Sequence, residues 1–279
     1  MTDNPAVRVR GLRKAYGKLT ALDGIDLDVA QGEVLALLGP NGAGKTTTVE
    51  ILAGHRDRDA GEVAVLGRDP GRADLAWRAE LGIVLQGSAD LGELTVRESV
   101  HHFARYFPRP RDPDEVIALV GLTGKAGARI RTLSGGQRRR LDVAVGVVGR
   151  PRLLFLDEPT TGFDPQARRL FWDLVRSLAG RYGTTILLTT HYLDEAEALA
   201  DRLVVIAGGR VVAEGAPATL GGRAAVRACV RWADGQQDTD DPAALVADLT
   251  RRYAGTVPGL TVTRPSLEDV YLDLIGEHR

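Results

Sequence analysis

The feature that most constrains this chain is a five-residue apolar run, Val34–Leu38, leading directly into Gly39-Pro40-Asn41-Gly42-Ala43-Gly44-Lys45-Thr46. Uninterrupted apolar residues mark a strand covered on both faces, the situation of a parallel sheet flanked by helices. The eight residues that follow fit G-x-x-x-x-G-K-[ST], and Thr46 to Ala53 reads as a helix. Strand, glycine-rich loop and helix in that order form a phosphate cradle. The glycines let successive backbone N–H groups turn inward, and the helix N-terminus adds unpaired donors and a favourable dipole. Lys45 brings a positive charge for a β- or γ-phosphate, and the Thr46 hydroxyl can ligate Mg²⁺. Gly39, Pro40, Asn41, Gly42, Ala43, Gly44, Lys45, Thr46 and the adjoining Thr47 are therefore the candidate cofactor-binding loop.

The rest of the pattern agrees with an α/β fold. Strands are predicted over 7–12, 25–29, 62–66, 81–85, 153–156, 185–189 and 203–207, with helices over 95–107, 113–120, 137–148, 165–179 and 193–200. Strands alternating with helices predict a mainly parallel sheet. Thr95 with Glu98 forms a capping box, and Asp112 before Pro113 is a second helix start. After Gly221-Gly222 the composition changes, with a polar, turn-rich stretch over 234–241, a helix from Pro242 to Tyr253 and a last helix ending near Leu274. A boundary near 220 leaves a small C-terminal domain. The single cysteine, Cys229, excludes an internal disulfide framework and a cysteine-rich zinc site. A net charge of -1 argues against a whole-chain grip on nucleic acid. The eleven uncharged residues from Val34 to Gly44 fall short of the roughly 20 that a spanning helix needs, and no secretory leader is visible.

Asp157 and Glu158 close the apolar run Leu153 to Leu156. At the carboxyl end of a parallel strand, Asp157 can hold Mg²⁺ and Glu158 can polarise a water for attack on a γ-phosphate. The competing explanation, an acid pair opening a helix, is weakened by the loop upstream. Leu133-Ser134-Gly135-Gly136-Gln137 precedes a helix. It is either a helix-entry loop or a second phosphate nest.

Together these segments resemble the ATP-binding subunit of an ABC transporter, over residues from about 5 to 215. Residues 39–46 resemble its Walker A loop, 153–158 its Walker B strand and 133–137 its signature. The resemblance implies a nucleotide contact for Ser134, Gly135, Gly136 and Gln137. It implies an adenine platform at Tyr16, a Q-loop glutamine at Gln86 with a part in catalysis and metal binding, a D-loop aspartate at Asp164 and a switch histidine at His191. Phe163 departs from the leucine usual in the family. Lys125 to Thr132 lacks the string found in many exporters with fused membrane domains, and the tail Arg264 to Leu272 is similar to that of subunits resembling the daunorubicin-resistance ATPase.

The resemblance implies a P-loop NTPase fold: an ABC-type RecA-like core, an antiparallel β subdomain and a helical subdomain at about 87–150, within a nucleotide-binding domain over 1–220, followed by a small α/β domain over 221–279. It implies an ATPase using ATP and Mg²⁺, with Glu158, His191 and Gln86 catalytic and Thr46, Gln86 and Asp157 around the metal. It further implies a homodimer in the ATP-bound state, a separate ABC-2 type permease, export of a drug or antibiotic, and residence on the cytoplasmic face of the membrane. A soluble ABC-type ATPase of translation or repair is the alternative, set back by the single cassette and the lack of sustained heptads. A P-loop switch protein is set back by the lack of an N-K-x-D motif.

Other residues receive plainer readings. Arg138-Arg139-Arg140 reads as a solvated helix face and Cys229 as an inert small residue. His101 and His102, adjacent on a helix, point about 100° apart and read as non-ligands. Trp77 and Phe103 read as core or subunit-contact residues.

Overall fold

The computed structural model describes residues 4–85, 92–225, 228–263 and 266–276. β1 (Val7–Tyr16) and β2 (Leu19–Val29) form a hairpin longer than the alternation over 7–12 and 25–29 predicted. β1 pairs antiparallel with both β2 and β4, and its ladders shift register around Gly11, so polar residues occupy its distal half and blur the period of two. β3 (Val34–Leu38) is buried at every position. It leads through the glycine-rich loop to α1 (Lys45–Leu52), then β4 (Ala60–Val65), α2 (Leu75–Arg78) and β5 (Leu81–Val84). Gln86 lies outside the described residues.

Next come α3 (Val96–Ala104), α4 (Pro113–Leu119) and α5 (Gly135–Val148), which pack on one another. The predicted capping box is present: the Thr95 hydroxyl accepts from the Glu98 amide at 3.2 Å, and the Glu98 carboxylate accepts from the Thr95 amide at 2.8 Å. Asp112 caps α4 as expected. β6 (Leu153–Asp157), α6 (Pro165–Tyr182), β7 (Thr185–Thr190), α7 (Leu193–Leu199), β8 (Arg202–Ala207) and β9 (Arg210–Gly215) complete the main body.

The main sheet has the order β5-β6-β7-β3-β8-β9. All its pairings are parallel except the β8–β9 hairpin at one edge. A three-stranded antiparallel sheet, β2-β1-β4, shares a core of Leu12, Ile25, Val49, Trp77 and Phe155 with one face of it. α3 to α7 supply the core on the other side, around Val100, Ile117, Leu141, Phe171 and Leu188. Trp77 is fully buried, and its indole N–H donates to the Val65 carbonyl at 2.8 Å.

The residues after 221 hold a sheet that the sequence pattern did not reveal. β10 (Ala228–Trp232), β11 (Gly235–Thr239) and β12 (Thr261–Thr263) pair in the order β11-β10-β12, with α8 (Pro242–Arg252) packed on them around Val230 and Leu249. α9 (Leu267–Gly276) returns to the main body, where Leu267 and Tyr271 join Leu220 in its core. No helix among the described residues is long and apolar enough to cross a membrane.

Candidate nucleotide site

Three parallel strands end side by side, and each delivers one part of the site. β3 ends in the glycine-rich loop, β6 in Asp157-Glu158, and β7 in Thr189-Thr190 followed by His191. Their registers, Leu38↔Thr190 and Asp157↔Thr189, bring these ends level.

The loop needs its glycines for two separate reasons. Gly39 passes so close to the Ile206 carbonyl that a Cβ would lie 2.3 Å from that oxygen. Gly44, which caps α1, has φ +105°, and a Cβ there would lie 2.5 Å from Leu22. The Lys45 side chain, 5 % exposed, donates from Nζ to the carbonyls of Gly39 at 2.8 Å and Pro40 at 3.2 Å and lies 3.7 Å from the Glu158 carboxylate. Burial pulls its pKa below the usual lysine range, against the opposing pull of Glu158 and Asp157. Asn41, Gly42, Gly44, Lys45, Thr46, Thr47 and Glu158 line one cavity of about 310 Å³. Ala43 is buried, and its amide donates back to the Pro40 carbonyl.

Asp157 is fully buried. Both its oxygens lie 3.1–3.2 Å from the Thr46 hydroxyl, and the Thr189 hydroxyl donates to Oδ1 at 2.5 Å. Thr189 also receives the Glu158 amide on both its hydroxyl and its carbonyl. It positions both acids, yet nothing in its sequence context singled it out. Glu158 has φ +44°, a strained value for a non-glycine residue, and such strain gathers at functional sites. Its Oε1 lies 3.4 Å from Nδ1 of His191, whose ring stacks against Tyr192 at 4.1 Å between centroids. A hydroxyl beside a buried carboxylate is a set of hard oxygen donors, which suits Mg²⁺.

The other candidates stand apart. Ser134 caps α5: its hydroxyl accepts from the Gln137 amide, and the Gln137 side-chain oxygen accepts from the Ser134 amide. Ser134 and Gly135 are exposed. A Cβ on Gly136 would lie 3.4 Å from Ala167 and 3.9 Å from the Phe163 ring, so the start of α6 backs the nest. The Asp164 carboxylate caps α6. Tyr16 ends β1, 39 % exposed, with Arg56 at 5.2 Å and Lys14 at 5.7 Å from its ring centre.

The arginine triplet corrects the reading of a solvated face. Arg138 donates to the Ile130 carbonyl and Arg140 to those of Val120 and Gly121. Arg139 is largely covered and reaches the carbonyls of Leu85 and Asp157 at the ends of two strands. All three guanidiniums donate to backbone carbonyls, and a charge run in sequence cannot reveal that. Cavities of about 450 and 640 Å³ lie by the starts of β6 and β7 and by α2. They contain none of the predicted residues, so chemistry rather than size selects the site.

Known proteins resemble this chain in sequence and in fold. The family model described as ABC transporter matches residues 22–161. The daunorubicin resistance ATP-binding protein DrrA3 of Streptomyces coeruleorubidus is 40% identical over 98% of this chain and 97% of its own. The Nod factor export ATP-binding protein I of Paraburkholderia xenovorans is 47% identical over 77% of this chain and 72% of its own. A solved ATP-binding subunit of an ABC transporter shares the fold, with TM-score 0.72 and 23% identity over 96% of this chain and 99% of that one.

Proposed function

Because the chain belongs to the ATP-binding subunits of ABC transporters, and is an ATPase of that family, we propose that it binds and hydrolyses MgATP as a homodimer and so powers export through a separate ABC-2 type permease. The observation that carries the chemistry is the convergence of Lys45, Thr46, Asp157, Glu158 and His191 at three neighbouring strand ends. The export reading rests on DrrA3, a drug-resistance protein matched nearly end to end, and on the Nod factor export proteins. A drug or antibiotic is the proposed cargo, and the cytoplasmic face of the membrane the proposed place.

Residues 39–47 cradle the phosphates with backbone N–H groups, and Lys45 turns from its loop carbonyls to the β- and γ-oxygens. Mg²⁺, held by Thr46 and Asp157, would neutralise phosphate charge. Thr189 keeps Asp157 in place, and Glu158 orients the attacking water with His191 beside it. Gln86 keeps the part in catalysis and metal binding that the resemblance gives it. The exposed nest at Ser134, Gly135, Gly136 and Gln137, with Asp164 behind it, closes over the nucleotide of the second copy. Tyr16 stacks on adenine. Residues 1–220 form the nucleotide-binding domain, with its helical part at about 87–150, and 221–279 an accessory unit joined to it through α9.

Glu158→Gln tests this reading. ATP binding should persist, turnover should fall by at least about 100-fold, and an ATP-dependent dimer should accumulate on size exclusion. Full turnover by this variant would remove Glu158 from the mechanism. Co-purification of a multi-span membrane protein tests the transport half.

A further inference from the structure

The ladder between β5 and β6 ends at the pair Val84↔Leu156. One residue further on, no Leu85–Asp157 pair extends that ladder among the described residues. Arg139, from α5, fills that position. Its Nη1 donates to the Leu85 carbonyl at 2.5 Å and its Nη2 to the Asp157 carbonyl at 2.5 Å. Weaker bonds reach the carbonyls of Pro159 from Nε at 3.3 Å and Val84 from Nη2 at 3.5 Å. The side chain is 11 % exposed, and Asp142, one turn along α5, lies 4.0 Å away. A planar guanidinium presents donors in a fixed fork, so it can hold several carbonyls in one geometry, whereas an ammonium is a single point of attachment.

We propose that Arg139 is a positioning residue for hydrolysis, holding the strand end that carries Asp157 and Glu158 in register with the helix that opens at Ser134. The inference rests on the functional reading above. In that reading this copy's acids serve its own nucleotide, while its Ser134 nest serves the partner's. Arg139 therefore lies on a short covalent and hydrogen-bonded route between the two, five residues from Ser134 along α5 and one hydrogen bond from the Asp157 carbonyl. Its loss displaces reacting groups without touching the phosphate loop, and misplacement on the ångström scale costs about 100-fold in rate.

The test is Arg139→Lys with Arg139→Gln beside it. Each is measured for affinity of a fluorescent ATP analogue, for kcat, KM and Hill slope of ATP hydrolysis, and for thermal midpoint. The expected result for Arg139→Lys is affinity within about twofold of wild type, kcat lowered at least about tenfold, and a flatter Hill slope. Arg139→Gln should be slower still with the same affinity. Wild-type kcat and Hill slope in Arg139→Lys would overturn the proposal. So would a parallel fall of affinity, kcat and midpoint in both variants, which marks a residue that only supports the fold. Wild-type protein in the same assay separates the two claims: if it neither binds nor splits ATP, the functional reading itself fails.

Discussion

The strand-end cluster and the α5 entrance carry equally short motifs, yet they are built in opposite ways. Lys45 and Asp157 are buried, and Lys45, Thr46, Asp157 and Glu158 engage one another or the loop backbone. At Ser134 the donors and acceptors are turned onto their own helix end, and the surface outside is exposed. The first region is a finished half-site, costly to bury and held by its neighbours. The second is a rigid, self-capped edge whose outer face acquires a use only against a second surface. Substitutions in the two regions should therefore fail differently. Removing the cluster's phosphate-facing cation should cost nucleotide binding in the isolated chain, and the edge should lose only what depends on association.

Lys45→Ala gives the largest effect. It removes the cation facing the phosphates and its contact at 3.7 Å with Glu158. ATP affinity should fall at least about 100-fold, measured by titration calorimetry. Unchanged affinity would erase the distinction between the regions. Ser134→Arg comes next. It costs the α5 cap about 1 kcal/mol. Affinity for ATP should stay within about twofold of wild type, while turnover falls at least about tenfold and no ATP-dependent dimer forms. Loss of affinity in this variant would mean that the edge belongs to the same copy's site.

Asp142 sharpens the comparison, because it lies on the helix that joins the regions. Burial raises its carboxyl to about 6, against the nearby charges of Arg139 and Arg138. An acid whose pKa rises on folding binds its proton more tightly in the native state. Its contribution to stability is therefore greatest below about pH 4 and is lost as pH rises to about 6. Asp142→Asn, which stays neutral throughout, should gain up to about 3 kcal/mol at pH 7.5 relative to wild type. Thermal melts should show a midpoint several degrees higher at that pH, with the gap closing toward pH 4. A gap independent of pH would contradict a carboxyl whose pKa is raised by burial.

What could be read from sequence follows the same division. Val34–Leu38 and Leu153 to Leu156 announce buried parallel strands because uninterrupted apolar residues have few other uses, and the loop between Gly39 and Thr46 needs only local geometry to make sense. Thr95 with Glu98 is equally local. Thr189 is not: its grip on Asp157 spans 32 residues and exists only once β6 and β7 pair. Arg139 looks like its neighbours in a basic triplet, and only the end of the β5–β6 ladder gives it a separate task. The sheet of β10 to β12 escaped because β12 is exposed along its length and β11 is polar, so neither shows a buried face. Where strand or helix periodicity carries the signal, the sequence is readable; where a bond closes over long separation, it is not.

Tyr16 gives the smallest effect and bears on the edge of the finished half-site. Its ring is 39 % exposed and flanked by the cations of Lys14 and Arg56, whose approach costs little and leaves aromatic surface open. If adenine stacks there, the contact contributes about 1–2 kcal/mol. Tyr16→Ala should then raise KM for ATP about tenfold with kcat unchanged, and Tyr16→Trp should restore it, because stacking requires only an aromatic face. The same substitution should leave KM for inorganic triphosphate, which has no base, at the wild-type value. An equal change for ATP and triphosphate would make Tyr16 a packing residue of the β1–β2 hairpin, and the base would have to be held elsewhere.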